Sequence, residues 1–218
     1  MVSTSPPHLA ARQFADEDHV AQVIGRLKAA GVARAFVIGG DGPVEGPFAD
    51  AASLLRVMNL IGHSFDDVGI GGYPEGHAGI PADQLAAAMQ EKSRYATRIV
   101  THICFDAKAT ARWAADLRTR GITQPVYVGM PGPVHRTKLM RISASIGLGQ
   151  SARFLRKQNG LWRFLLPGGY NPSRLARQLG AISARSAEPF QGLHIFTFNE
   201  IEETEKWRRR LRTQAGLD

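Results

Sequence analysis

Cysteine is almost missing: Cys104 is the only one in 218 residues. A single thiol cannot close an internal disulfide or build a Cys-rich zinc site, and such sparing use fits a reducing cytoplasm. Long apolar runs are also missing. Nothing approaches the roughly 20 residues a membrane helix needs, so no membrane is expected. The first residues, MVSTSPPHLAARQFADEDH, lack the basic segment and apolar stretch of a secretory leader. There is no HExxH, no Walker loop, no Ser-nucleophile Gly-x-Ser-x-Gly elbow, no CxxC and no close His-x-His pair. These absences remove the commonest metal, nucleotide-triphosphate and serine-hydrolase signatures. No internal repeat or low-complexity linker divides the chain, so residues 1–218 read as one domain.

Acidic residues are scarce in the second half. From Lys92 to Glu200 the only acids are Asp106, Asp116, Glu188 and Glu200, and all but five of the 27 lysines and arginines lie at or after Lys92. The net charge is +8. A basic surface attracts anions: nucleic acid, cofactor phosphates or carboxylate-rich substrates. An Arg-rich solvated surface explains the same charge equally well. No RNA-binding aromatic motif or zinc finger accompanies it, so nucleic acid is not the expected partner. The run Lys206-Trp207-Arg208-Arg209-Arg210 reads as the exposed face of a terminal helix.

What is present is an alternation of short apolar runs and longer amphipathic ones. A helix is expected from Asp16, its cap, to Ala30, with Val20, Val23, Ile24 and Leu27 as its apolar stripe. Strands are expected at 35–38, 68–73, 98–105, 125–130 and 193–198, with a sixth near 8–11. Helices are expected at 48–61, 81–96, 107–120, 137–146, across most of 150–188, and at 201–213. Strands separated by helices imply parallel β/α units, because parallel strands need crossover connections. In such folds ligands bind at the carboxyl ends of strands. The site candidates are therefore Asp41, Tyr73 to His77, His102 to Asp106, Gly129 to Pro133 and Thr197 to Glu200.

Each candidate has two readings. Gly39-Gly40-Asp41-Gly42-Pro43 is either a simple turn or a place where a ligand meets the backbone and Asp41 orients a heterocycle. Gly72-Tyr73-Pro74-Glu75-Gly76-His77 gathers a phenol, a carboxylate and an imidazole at one strand end. That cluster can stack on a flat ligand and reach a phosphate or ribose, or it can be a solvated loop. His102 either contacts substrate or is a satisfied core histidine. Cys104 has no evident activating partner and reads as packing.

The order of these motifs resembles the methylenetetrahydrofolate reductase family. Val37-Ile38-Gly39-Gly40-Asp41 is similar to the family's strand ending in Arg-Gly-Asp, and Gly72 to His77 to its Ala-Tyr-Pro-Glu-x-His. Arg98 to Asp106 resembles its Ile-Thr-Gln-x-Phe-Phe-Asp strand, and Gly129-Met130-Pro131 its Pro-Gly-Ile-x-Pro turn. Gly192 to Asn199 resembles Gly-x-His-Phe-Tyr-Thr-Leu-Asn, and Pro7-His8-Leu9 its Pro-His-Leu strand.

The resemblance implies a TIM-type (β/α) barrel that begins at about the family's third strand, lacking about the first two β/α units. It implies an oxidoreductase of one-carbon and methionine metabolism in which NADH or NADPH gives hydride to FAD, and FAD gives it to 5,10-methylenetetrahydrofolate. It assigns Asp41 a catalytic place beside the flavin and folate rings, and Gly40, Asp41, Tyr73 and His77 to FAD. His102, Phe105 and Asn199 fall to the folate. Four departures stand out. Gly39 replaces the arginine before Gly-Asp, His102 replaces the strand glutamine, and Glu200 replaces an arginine. Nothing here matches the early-strand glutamate that acts as the family's acid. The alternative implied by these departures is a non-catalytic flavin- or folate-binding relative that needs a partner chain, or a form closed by a second copy of itself.

Overall fold

The computed structural model describes residues 6–77, 79–134, 138, 170–186 and 190–216. Among them six strands alternate with six helices. The strands are β1 (His8–Ala10), β2 (Arg34–Ile38), β3 (Asp67–Gly72), β4 (Arg98–Thr101), β5 (Val126–Pro131) and β6 (Gly192–Phe196). The helices are α1 (Glu17–Ala29), α2 (Ala51–Ile61), α3 (Ala82–Lys92), α4 (Ala107–Thr119), α5 (Pro172–Ser183) and α6 (Ile201–Gln214). The strands form one sheet in chain order, β1-β2-β3-β4-β5-β6. The pairings β1 with β2, β2 with β3 and β5 with β6 are parallel, in the registers His8–Phe36, Phe36–Gly69 and Gly129–His194. The expected parallel α/β class is therefore found. Apart from Lys138, the expected helix at 137–146 lies outside the described residues, as do 150–169 and 187–188 of the next one.

Helix starts follow the capping logic of the sequence. The Asp16 carboxylate accepts the His19 N–H at 2.7 Å. The Asp50 carboxylate accepts the Ser53 N–H at 2.8 Å, while the Asp50 N–H donates to the Ser53 hydroxyl oxygen. Asn171 caps α5, and Pro172 fills its first turn. Each cap satisfies donors that the helix itself leaves open.

The chain divides into two compact units. The first comprises residues 1–72, 86–100 and 120–126. Its core joins Val37, Val68, Ile70 and Ile99 from the strands with Val20 and Ile24 of α1 and Leu54, Leu55 and Met58 of α2, all buried. Three consecutive buried residues in β3 are what a parallel strand covered on both faces requires. The second unit comprises residues 73–85, 101–119 and 127–218. Val128 and Met130 of β5, Ile103, Leu117 of α4, and Leu175 and Leu179 of α5 form its core.

Several boundaries differ from expectation: α2 begins at Ala51, not Phe48, and β6 ends at Phe196, not Phe198. β4 stops at Thr101, not Phe105. The Thr101 hydroxyl binds the His102 carbonyl at 2.9 Å, meets the Cys104 Sγ at 3.2 Å and accepts the Gly129 N–H at 2.8 Å. These bonds turn the chain out of extended geometry, although residues 102–105 remain apolar enough to resemble strand. The expected helix at 81–96 is an α-helix only to Lys92 and tightens into a 3-10 turn over Ser93–Tyr95. In α6, Lys206 and Arg208 to Arg210 are exposed as expected, and Trp207 is turned inward, its indole N–H donating to the Ser173 hydroxyl at 2.8 Å.

Candidate functional site

Every predicted site residue lies at or just past the carboxyl end of a strand. In the first unit, β2 runs out at Ile38 and Asp41 follows in an exposed bend. Gly40 has φ +91°, and a Cβ there would come within 3.3 Å of the Ala10 Cβ. Glycine takes that backbone turn without the strain an L side chain would meet there. The same unit holds a lysine that the sequence did not single out. Lys92 reaches the Gly71 carbonyl with its Nζ at 3.0 Å. Burial pulls its pKa down to about 8, and the Asp50 carboxylate opposes that fall.

The second unit brings three of the predicted residues together. The Tyr73 ring lies 5.3 Å from the His77 ring, edge to face at 84°, and 5.6 Å from the His102 ring, stacked at 24°. These separations are those of ordinary aromatic pairs. All three side chains are partly exposed. His77 Nδ1 accepts the Gly79 N–H at 3.1 Å, so the neutral imidazole carries its proton on Nε2. Thr101 and His102 have the expected different surroundings, Thr101 1% exposed and His102 half-buried, but strand alternation does not produce the difference, because β4 ends at Thr101 and Ile99, Val100 and Thr101 are all buried.

Glu75 sits between Tyr73 and His77 in sequence, yet its carboxylate points elsewhere. Its Oε1 accepts the N–H of Phe105 at 2.6 Å and of Asp106 at 2.9 Å. Burial raises its pKa, and the two amide bonds pull it back. Asp106 in turn accepts the N–H of Lys108 and Ala109, capping α4. The next strand holds the same loop, for the Cys104 N–H donates to the Gly129 carbonyl at 2.9 Å. Gly129 permits this approach: a Cβ there would lie 2.2 Å from the Thr101 carbonyl oxygen. Cys104 is buried, and desolvation pushes its thiol up to about 12, which suits packing and not nucleophilic work.

Phe105 and Asn199 do not join the ring cluster through any contact described. Phe105 packs edge to face on Tyr170 at 5.9 Å. The Tyr170 hydroxyl donates to the Pro131 carbonyl at 2.7 Å, and burial moves its pKa upward. Asn199 is exposed in a left-handed turn, φ +66°, after β6. The neighbouring Glu200 carboxylate pairs with Lys138 at 2.7 Å, so the acid that stands in place of an expected arginine is answered by a cation. Glu75 was visible in the sequence as part of a cluster, but its partners thirty residues on were not. Tyr170 and Lys92 had no sequence signal, because burial alone distinguishes them.

The sequence model of the family described as methylenetetrahydrofolate reductase matches residues 4–147. That span contains Gly40, Asp41, Tyr73, His77, His102 and Phe105, whereas Asn199 lies beyond it.

Proposed function

The chain belongs to the methylenetetrahydrofolate reductase family, and from that membership we propose a specific activity within this folate-related oxidoreductase family. The activity is transfer of hydride from NADH or NADPH, by way of FAD, to 5,10-methylenetetrahydrofolate. The observation that carries it is the Tyr73–His77–His102 ring cluster at a strand end inside the matched span. A phenol flanked by two imidazoles suits a flat heterocycle with hydrogen-bonding edges, so the residues fit a flavin. The (β/α) barrel, a single functional domain over 1–218 and a cytoplasmic setting belong to the same proposal.

When bound, FAD supplies the hydride-carrying chemistry, and the protein supplies orientation and electrostatics. Tyr73 offers a ring surface. His77, with its proton on Nε2, donates to a phosphate or ribose oxygen. Gly40 lets the backbone turn at close quarters, and Asp41 accepts a hydrogen bond that orients the reacting heterocycles. His102 and Phe105 supply a polar and an apolar contact to the folate, with Asn199 as a further polar one. The excess of Lys and Arg draws in phosphates and the carboxylate tail of a folate.

The test is a visible spectrum of the purified chain with micromolar FAD, followed by reduced-nicotinamide oxidation coupled to methylenetetrahydrofolate. Flavin absorption that co-elutes with the protein, together with folate-dependent oxidation, is expected. Failure to take up FAD sinks the whole reading, and FAD uptake without turnover leaves only a binding protein. Asp41→Ala should depress folate reduction more than flavin binding.

A further inference from the structure

Glu75, in the second unit, is a half-buried carboxylate that the proposed chemistry does not use. Glu75 is flanked in sequence by the two flavin-side residues Tyr73 and His77, but it is spent on backbone. Two successive amides, Phe105 and Asp106, converge on one of its oxygens. Successive N–H groups at a helix start form a concavity that favours an anion, and the dipole of α4 adds to the attraction. Here the anion is a side chain of the chain itself. The loop it captures begins at His102, whose ring stacks on Tyr73. The far side of that loop is fixed by Thr101 and Cys104 to Gly129. Glu75 therefore closes a circuit: Tyr73 to His102 through the rings, and the Tyr73 loop to the His102 loop through the carboxylate.

Resting on the flavin reading above, we infer that Glu75 is a positioning residue that latches the loop after β3 to the start of α4 and so presets the Tyr73–His102 ring pair for the flavin. Glutamine keeps an oxygen acceptor of the same reach and can hold both amides. Alanine leaves both N–H groups without it, and aspartate is one methylene too short to serve both. The latch depends on an acceptor at that reach, and the charge strengthens it without defining it.

The experiment compares wild type, Glu75→Gln, Glu75→Asp and Glu75→Ala by residue-resolved amide exchange and by FAD titration. Loss of hydrogen bonds to a charged group should speed exchange of the Phe105 and Asp106 amides by about tenfold or more in the alanine variant, with distant amides unchanged. FAD should bind about tenfold more weakly in that variant, and within about threefold of wild type in Glu75→Gln. The aspartate variant should fall between them, and it carries the comparison if alanine does not fold. Exchange at the two amides as slow in the alanine or aspartate variant as in wild type overturns the latch. Fast exchange with unchanged FAD affinity overturns its role in presetting the rings, as does equal loss of FAD in the glutamine and alanine variants. If wild type takes up no FAD, the functional reading fails by itself, and the exchange arm still decides the latch.

Discussion

The phenol ring of Tyr73 stacks on the imidazole of His102, at 5.6 Å between centroids and 24° between planes. One residue follows β3 and the other follows β4. Their contact makes a residue assigned to the cofactor and a residue assigned to the substrate parts of one surface. The consequence is that changes at Tyr73 should be felt at both.

Tyr73→Leu removes the ring that both imidazoles lean on. Aromatic pairs contribute about 0.5–1.5 kcal/mol each, so FAD affinity should fall by about an order of magnitude. Tyr73→Phe keeps the stack and should stay within about threefold in the same absorbance titration. Equal losses in the two variants would assign the effect to the hydroxyl, not the ring.

Gly129→Ala places a methyl group 2.2 Å from the Thr101 carbonyl oxygen and 2.8 Å from that of His102. Both are backbone atoms in a strand and its exit, so neither can move aside cheaply. Overpacking of this kind costs about 1–3 kcal/mol, and more where backbone must shift. Thermal denaturation should show a clear drop in Tm, with loss of flavin uptake where the fold survives. An unchanged Tm would mean that β4 and β5 do not approach as described.

Thr101→Val keeps the volume but deletes a hydroxyl that serves three partners. The Gly129 N–H then loses its acceptor inside the core. A buried donor left unsatisfied costs about 1–3 kcal/mol. Urea denaturation should report a loss of that size with an unchanged slope. A neutral result would show that another acceptor takes the Gly129 amide.

Lys92 gives stability a pH dependence of definite sign. Its amine titrates at about 8 in the folded protein, against an ordinary 10.5. Between those values the unfolded chain holds the proton and the folded chain does not, so stability rises with pH across that window. Below about 8 the charged, desolvated amine is a standing penalty. Lys92→Met removes this contribution. Its stability relative to wild type should be greatest near neutrality and should decline as the pH rises through the window, measured by denaturant titration at pH 7 and pH 10. A relative stability that does not change with pH would show that the amine is solvated.

Much of the architecture could be read from the chain because its signals are local. Asp16 precedes an apolar periodic segment and caps its helix as expected, whereas Asp50, inside the helix expected at 48–61, turns out to be its cap. The alternation of short apolar runs with amphipathic ones implies a parallel α/β sheet, since parallel strands need long crossover connections, usually helical. Ordered strand-end motifs from Pro7 to Asn199 pointed to the family, and the family's model matches residues 4–147, short of the motif at 192–199.

Nonlocal relations were decided only by the tertiary structure. Composition made 98–105 look like one strand, and the Thr101 hydroxyl ended it early by bonding to Cys104 and Gly129. Spacing put Glu75 in a chemical cluster, and folding turned its carboxylate onto the amides of Phe105 and Asp106. Nothing in the sequence around Lys92 foretold a desolvated amine. Helix periodicity, caps and strand alternation are properties of neighbours in sequence, and the chain itself determines them. Which buried acceptor meets which donor depends on how loops from different β/α units come together, and only the folded protein fixes that.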